Sequence, residues 1–229
     1  MIKLSQARCD AAHGLRASLE REGRMLASID HPHLARVFDL DVHDGRPFLA
    51  MEAIEGTSLT ELRRQRVLNA AEIAALMTTL AGAVAAVHAA GVLHLDLKPD
   101  HVLVRPDGHL KLIDFGTAQW LHALGIDVSQ GWVIGTPGYM APEQERGETA
   151  LLSERTDVYG LGGILRYLLT GETPRPDDST AAPVAVRAPT TGKAASGRTP
   201  TNPRGEARLR RELAVSADRC LSRQPACRY

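Results

Sequence analysis

A chain of 229 residues, 44% of them hydrophobic, is long enough to bury a core as one large domain or as two small lobes. Lysine plus arginine and aspartate plus glutamate both number 27, so no net charge favours binding to nucleic acid or to an anionic membrane. The three cysteines, Cys9, Cys220 and Cys227, lack metal-ligand spacing and favour reduced thiols in the cytoplasm over a disulfide framework.

The N-terminal part of the chain predicts a short strand followed by a helix. The strand covers Met1 to Leu4, and the helix is indicated by apolar residues at helical spacing: Leu15, Leu19, Leu26 and Ile29. Glu22 falls within this apolar stripe, and burying a carboxylate without a partner costs several kcal/mol. Glu22 therefore either pairs with a cation or lies at a solvated edge of the helix.

A hairpin and two capped helices are predicted next. Two apolar segments, 34–42 and 47–51, flank Asp44 and Gly45, which favour a tight turn. Ser58 and Glu61 form a capping box that begins a short helix.

Asn69 caps a longer helix that ends at Gly91. Its predicted core stripe consists of Ile73, Leu76, Met77, Leu80, Val84 and Val87. Because Glu72, Thr78, Thr79 and His88 interrupt the apolar run, we expect a core helix and no membrane span. No secretory signal opens the chain.

The segment from His94 to Gly116 places two carboxylates and a lysine around an apolar hairpin. Alternating apolar residues predict strands over 102–104 and 110–112, joined by a Pro-Asp-Gly turn. This hairpin brings Asp96 and Asp114 to the same end.

The segment 94–116 resembles the catalytic loop and the metal-binding loop of eukaryotic-like protein kinases. Two later segments resemble the same family in the same order: 135–143 is similar to the end of an activation segment, and 157–162 to the helix that follows it. The resemblance implies a bacterial serine/threonine protein kinase, truncated at both ends, with a bilobal α+β fold. It implies an incomplete N-terminal β lobe over 1–54 and a mostly helical C-terminal lobe over 55–229.

The resemblance also implies roles for individual residues. Asp96 would orient the substrate hydroxyl or accept its proton, Lys98 would neutralise the transferring phosphoryl group, and Thr136 would shape the hydroxyl site. Asp114 would hold magnesium, a hard ion that favours carboxylate oxygen. The implied partners are ATP and a protein substrate.

The nucleotide site implied by the resemblance lies between the lobes. Lys3 and Glu22 match the residues that kinases pair to hold the phosphates, and Met51, Glu52 and Ile54 are similar to the gatekeeper and hinge on which adenine rests. The glycine-rich loop that should precede Lys3 is missing from the sequence. Either the true start lies upstream, or part of the nucleotide clamp has been lost.

His101 is a second departure from the family pattern. The family places asparagine here, whose amide oxygen binds a second magnesium ion, whereas imidazole nitrogen suits softer transition metals. We expect His101 to weaken the second metal position, so that catalysis is slow and is helped by manganese.

The C-terminal third contains two further residues matched to the family. The resemblance pairs Glu143 with Arg228, and it assigns Asp157 to accept backbone hydrogen bonds from the catalytic loop. Proline-rich composition predicts a disordered insertion over 172–205, and helical periodicity returns from Glu206.

Two alternatives to an active protein kinase remain open. A catalytically inactive pseudokinase or remnant, serving as an interaction module, is favoured by His101 and by the missing glycine-rich loop. A small-molecule phosphotransferase of related fold is disfavoured by the segment 135–143, which resembles a platform for protein substrates.

Overall fold

The fold was analysed in a computed structural model that describes residues 2–4, 23–43, 46–115, 135–174 and 203–229. A three-stranded antiparallel sheet forms the N-terminal lobe, with β1 (Ile2–Leu4) and β2 (Val37–His43) on either side of β3 (Arg46–Met51). Residues 23–27 are helical. The predicted hairpin is confirmed, except that β2 begins at Val37. Leu34 instead makes an isolated parallel bridge to Leu112.

Two capping boxes fix the helices that enter the C-terminal lobe. Helix α1 (Leu59–Gln65) follows the short strand β4 (Thr57–Ser58), and its Ser58 cap accepts from the Glu61 N–H as predicted. Helix α2 (Ala70–Ala89) begins with the same arrangement between Asn69 and Glu72. Gly91, with φ of 74°, follows the end of α2 in the left-handed conformation that glycine favours.

Helix α2 lies in the core of the protein. The predicted stripe is buried at Ile73, Leu80, Val84 and Val87, and Leu76 and Met77 pack partly buried against the same cluster. By length and composition alone, α2 is also apolar enough to cross a membrane. In this fold its apolar face packs against the helices Glu154–Thr170 and Pro203–Cys220.

A second antiparallel sheet carries the predicted apolar hairpin. A single turn of 3₁₀-helix (Pro99–His101) leads into β5 (Val102–Val104), which pairs with β4 and with β6 (Leu110–Leu112). Gly108 adopts φ of 84° in the turn between the strands, which explains the need for glycine there. The segments that precede β5 and follow β6 therefore leave the same end of this sheet.

Three helices complete the C-terminal lobe. Helix α3 (Pro142–Glu145) is short, α4 (Glu154–Thr170) ends at Gly171 with φ of 81°, and α5 (Pro203–Cys220) packs against α4. Two 3₁₀ turns lie beside them, at Thr149–Leu151 and Pro225–Cys227. Helix α5 begins at Pro203, three residues before the predicted return of helical structure, and the part of the predicted insertion over 175–202 lies outside the described residues.

A buried ion pair joins α3 to the C-terminal segment. Arg228 Nη1 donates to Glu143 Oε1 at 2.6 Å and Nη2 donates to Oε2 at 2.9 Å, and both side chains are fully buried. Thr156 Oγ1 donates to Glu143 as well, at 3.0 Å. The pairing of Glu143 with Arg228 implied by the family pattern is present, and the structure shows that it is bidentate.

Removing one partner of this pair should destabilise the fold strongly. We expect Arg228→Leu to lower the free energy of unfolding by about 3–5 kcal/mol, because it leaves the Glu143 carboxylate buried without its cation. The matched control is Arg208→Leu, which breaks a solvent-exposed pair with Glu212 and should change the free energy of unfolding far less. Equal losses for the two variants in denaturant unfolding at pH 7 would contradict this account.

The contribution of this pair should also depend on pH. Burial raises the pKa of Glu143, but hydrogen bonds from Arg228 and Thr156 outweigh it and leave the pKa below the ordinary value of 4.5. The stabilisation is therefore present above pH 4.5 and is lost as the pH falls through the lowered folded-state pKa. The difference in stability between wild type and Arg228→Leu should accordingly shrink in acid.

Candidate active site

One buried carboxylate holds the backbone of the segment 94–98, which we call the catalytic loop. Asp157, near the start of α4, is 1% exposed. It accepts the backbone N–H groups of His94 and Leu95, each at 2.8 Å. His88 Nε2, in the last turn of α2, donates to the same carboxylate at 2.7 Å. Asp157 thus ties the catalytic loop to two core helices, as the family pattern implied.

Two residues of the site have backbone conformations that L-amino acids rarely adopt. Leu95 has φ of 60° and Asp114 has φ of 61°. Such conformations cost on the order of 1–3 kcal/mol for residues other than glycine and persist where the surrounding structure holds them. The chain therefore turns sharply just before Asp96 and again at Asp114.

Asp96, Lys98 and Thr136 form a compact hydrogen-bonded group. Thr136 Oγ1 donates to Asp96 Oδ1 at 2.6 Å, and Lys98 Nζ lies 2.7 Å from Thr136 Oγ1 and 3.2 Å from Asp96 Oδ2. All three side chains are partly exposed. Residues forty positions apart in sequence thus present a carboxylate, a hydroxyl and an ammonium group on one surface.

His101 lies between the two predicted acidic residues. Its Nδ1 donates to the backbone oxygen of Asp96 at 2.9 Å, and its Nε2 lies 3.5 Å from Asp114 Oδ2. The Asp96 carboxylate is 3.5 Å from the same ring. The structure therefore brings Asp96 and Asp114 to the same end of the hairpin, as predicted, and places His101 between them.

Two histidines of the site, His94 and His101, are buried. Burial is the main factor that lowers the pKa of both His94 and His101. His94 Nδ1 accepts the N–H of Asp96 at 3.3 Å, which places the ring proton on Nε2, facing the Ile113 carbonyl. His101 Nδ1 carries the proton that it donates to the Asp96 carbonyl, and His101 Nε2 faces the Asp114 carboxylate.

The donor set fits one magnesium ion better than two. Magnesium is commonly held by one or two carboxylates together with substrate phosphates, and Asp114 supplies such a carboxylate. His101 supplies nitrogen where a second hard ion would require oxygen. Within the described residues, no group of three or more His, Cys, Asp or Glu side chains is arranged to hold a metal without further ligands.

The predicted hinge runs from the end of β3 toward α1. Met51 is buried, and Ile54 is partly exposed. The Glu52 side chain accepts from Lys111 Nζ at 3.0 Å and from the Arg36 N–H at 3.1 Å. Burial raises the pKa of Glu52, but these two bonds lower it overall. The Glu52 carboxylate therefore connects the hinge to Lys111 of β6. Because this side chain is already hydrogen-bonded, the candidates for contact with adenine are backbone groups of the hinge.

The predicted Lys3–Glu22 pair stays a prediction. Lys3 lies in β1 with its backbone opposite Leu49, and Glu22 lies outside the described residues.

Sequence reasoning missed two contributors to the site. From the sequence, His88 is predicted only to interrupt the apolar run of a helix, and Lys111 has no predicted role. A histidine in the last turn of α2 carried no signal that it would meet Asp157, 69 positions away. Lys111 and Glu52 have opposite charges, but Lys111 lies in the second sheet and Glu52 follows a strand of the first, so spacing along the chain does not predict that they meet.

Comparisons with known proteins agree with this geometry. The sequence pattern of the protein kinase domain matches residues 1–229. Serine/threonine-protein kinase PknL of Mycobacterium bovis is 36% identical over 179 residues, which cover 78% of this chain and 44% of that protein. Serine/threonine-protein kinase pkn3 of Myxococcus xanthus is 34% identical over 221 residues, covering 93% and 39%. The chain thus spans less than half the length of these relatives.

A solved structure shows the same fold. The crystal structure of the Mycobacterium tuberculosis PknI kinase domain aligns with all of this chain and with 79% of its own, at 26% identity and a TM-score of 0.67. The bilobal α+β architecture predicted from the sequence is confirmed. The chain belongs to the protein kinase family, and the two relatives named above are bacterial serine/threonine protein kinases.

Proposed function

We propose that this chain transfers the terminal phosphoryl group of ATP to serine or threonine hydroxyls of protein substrates. The observation that carries the proposal is the group formed by Asp96, Lys98 and Thr136. It combines a carboxylate that can accept a proton with a cation beside it, on the segments that the kinase pattern assigns to catalysis.

These side chains suit the chemistry of phosphoryl transfer. A substrate hydroxyl placed against Asp96 would give up its proton to the carboxylate as its oxygen bonds to the phosphorus and the bond to ADP breaks. Lys98 would offset negative charge on the transferring group. Thr136 fixes the orientation of the carboxylate through Oδ1, so little ordering of Asp96 remains to be done on substrate binding.

Asp114 is the residue that would hold magnesium beside the phosphates. The bound ion would supply neutralisation of phosphate charge, and the protein would contribute the position of the carboxylate. The positive φ of Asp114 and its proximity to His101 define that position.

The rival proposal, a catalytically inactive interaction module, is favoured by one observation. The imidazole ring of His101 lies between Asp96 and Asp114 and offers nitrogen as a metal ligand, where the family pattern offers the oxygen of an asparagine amide. We propose that histidine in place of asparagine at position 101 slows phosphoryl transfer without abolishing it, because Asp96, Lys98 and Thr136 retain their mutual hydrogen bonds.

Removing the Asp96 carboxylate tests the proposal. With radiolabelled ATP and a peptide library containing serine and threonine, Asp96→Ala should lose about 10²-fold or more of the wild-type rate, because general base catalysis is removed. Asp107→Ala, in the exposed turn between β5 and β6, is the control and should match wild type. Label incorporation that Asp96→Ala leaves unchanged would overturn the proposal, and no incorporation by wild type with magnesium or manganese would favour the inactive module.

Restoring asparagine at position 101 tests the origin of slow transfer. We expect His101→Asn to raise kcat with magnesium and to lower the ratio of the manganese rate to the magnesium rate, because an amide oxygen suits magnesium better than imidazole nitrogen. His109→Asn replaces an exposed histidine and should change neither quantity. Equal rates for wild type and His101→Asn would remove the idea.

A further inference from the structure

The side chain of Gln144 connects α3 to the catalytic loop. Its Nε2 donates to the backbone oxygen of Leu95 at 2.8 Å, and its Oε1 accepts the backbone N–H of Ala141 at 3.0 Å. Gln144 is 6% exposed. A buried amide whose two ends both meet backbone groups fixes the distance between the segments that carry those groups.

Leu95 is held from both sides at the point where its backbone is strained. Asp157 accepts its N–H, and Gln144 donates to its C=O. Leucine has no intrinsic preference for φ of 60°, so these contacts must maintain it. Because Asp96 is the next residue, the orientation of the Leu95 peptide sets the direction in which the Asp96 side chain leaves the loop.

Gly135 leaves the space that this contact needs. Its φ is 126°, and a Cβ atom placed there would lie 3.0 Å from the Leu95 oxygen and 3.3 Å from Gln144 Nε2. The following residue is Thr136, which donates to Asp96. The segment 135–136 thus lies next to the Gln144–Leu95 hydrogen bond and next to the Asp96 carboxylate. A larger residue at 135 would disturb the Gln144–Leu95 bond and the Thr136–Asp96 bond.

Helix α3, which carries Gln144, is itself anchored by buried contacts of Glu143. Glu143, adjacent to Gln144, is buried in the bidentate pair with Arg228 and accepts from Thr156 of α4. Asp157, one residue after Thr156, holds Leu95. Helices α4 and α3 therefore hold the two peptide groups on either side of the Leu95 Cα atom, one through the Leu95 N–H and the other through its C=O.

We propose that Gln144 is a positioning residue that holds the Leu95 carbonyl and thereby sets the orientation of Asp96 for catalysis. The inference rests on the proposed function, because its kinetic consequence is a rate of phosphoryl transfer. Gln144 acts through Leu95 and touches neither the substrate hydroxyl nor the phosphates.

Two substitutions separate the two bonds of the amide. Gln144→Met keeps the length of the side chain and removes both bonds, whereas Gln144→Glu keeps an acceptor for the Ala141 N–H and loses the donor to Leu95. Each should lower kcat about tenfold, because the Asp96 carboxylate would be less well oriented in the transition state, and should leave KM for ATP within about twofold. Glu145→Gln, an exposed neighbour on α3, should behave as wild type.

A measurement that needs no catalysis accompanies the kinetics. Hydrogen–deuterium exchange of the peptide containing 94–98 should be faster in both Gln144 variants and unchanged in Glu145→Gln, while exchange in α2 stays constant as a reference for global stability. Unchanged exchange of 94–98 overturns the proposal, and so does wild-type kcat in Gln144→Glu. If wild type itself transfers no phosphate, the proposed function fails, and the exchange data alone decide whether Gln144 holds the loop.

Discussion

The Asp157 carboxylate, buried in the C-terminal lobe, is the interaction on which the rest of the site depends. It accepts hydrogen bonds from the backbone N–H groups of His94 and Leu95 in the catalytic loop, and a third from the His88 side chain. A buried carboxylate costs free energy unless it is fully hydrogen-bonded, and these three donors meet that requirement. These three bonds offset the free-energy cost of burying the carboxylate. They also connect the catalytic loop to α2 and α4, which fixes the position of the loop.

Functional groups in this site come from short segments between regular elements. The loop before β5 contributes Asp96 and Lys98, the end of β6 leads to Asp114, and Thr136 precedes α3. Each segment is held by a contact to something more rigid: a core helix, a paired strand or the buried pair of Glu143. His101 stands where these segments meet. A change of its side-chain atoms therefore alters the ligands that the site offers to a metal ion between Asp96 and Asp114.

Local chemistry allowed much of the fold to be predicted from the sequence. The capping box at Ser58, the N-cap at Asn69, the Pro-Asp-Gly turn and the stripe of α2 each depend on residues a few positions apart, and all are found as predicted. The resemblance supplied the longer connections, including the meeting of Asp96 with Thr136. Contacts made by residues outside the family pattern, such as Gln144 with Leu95, could not be predicted, because nothing in the spacing shows which distant carbonyl a buried amide will meet.

The most direct test of this account is the kinetic effect of Asp157→Asn. Asparagine has nearly the same size, but it offers one acceptor oxygen and turns an NH₂ group toward backbone donors, so the catalytic loop should lose its fixed geometry. The account predicts that kcat for peptide phosphorylation falls about tenfold or more, with faster hydrogen exchange over 94–98 and a folded core. Wild-type kcat and wild-type exchange in that variant would contradict the claim that this carboxylate organises the site.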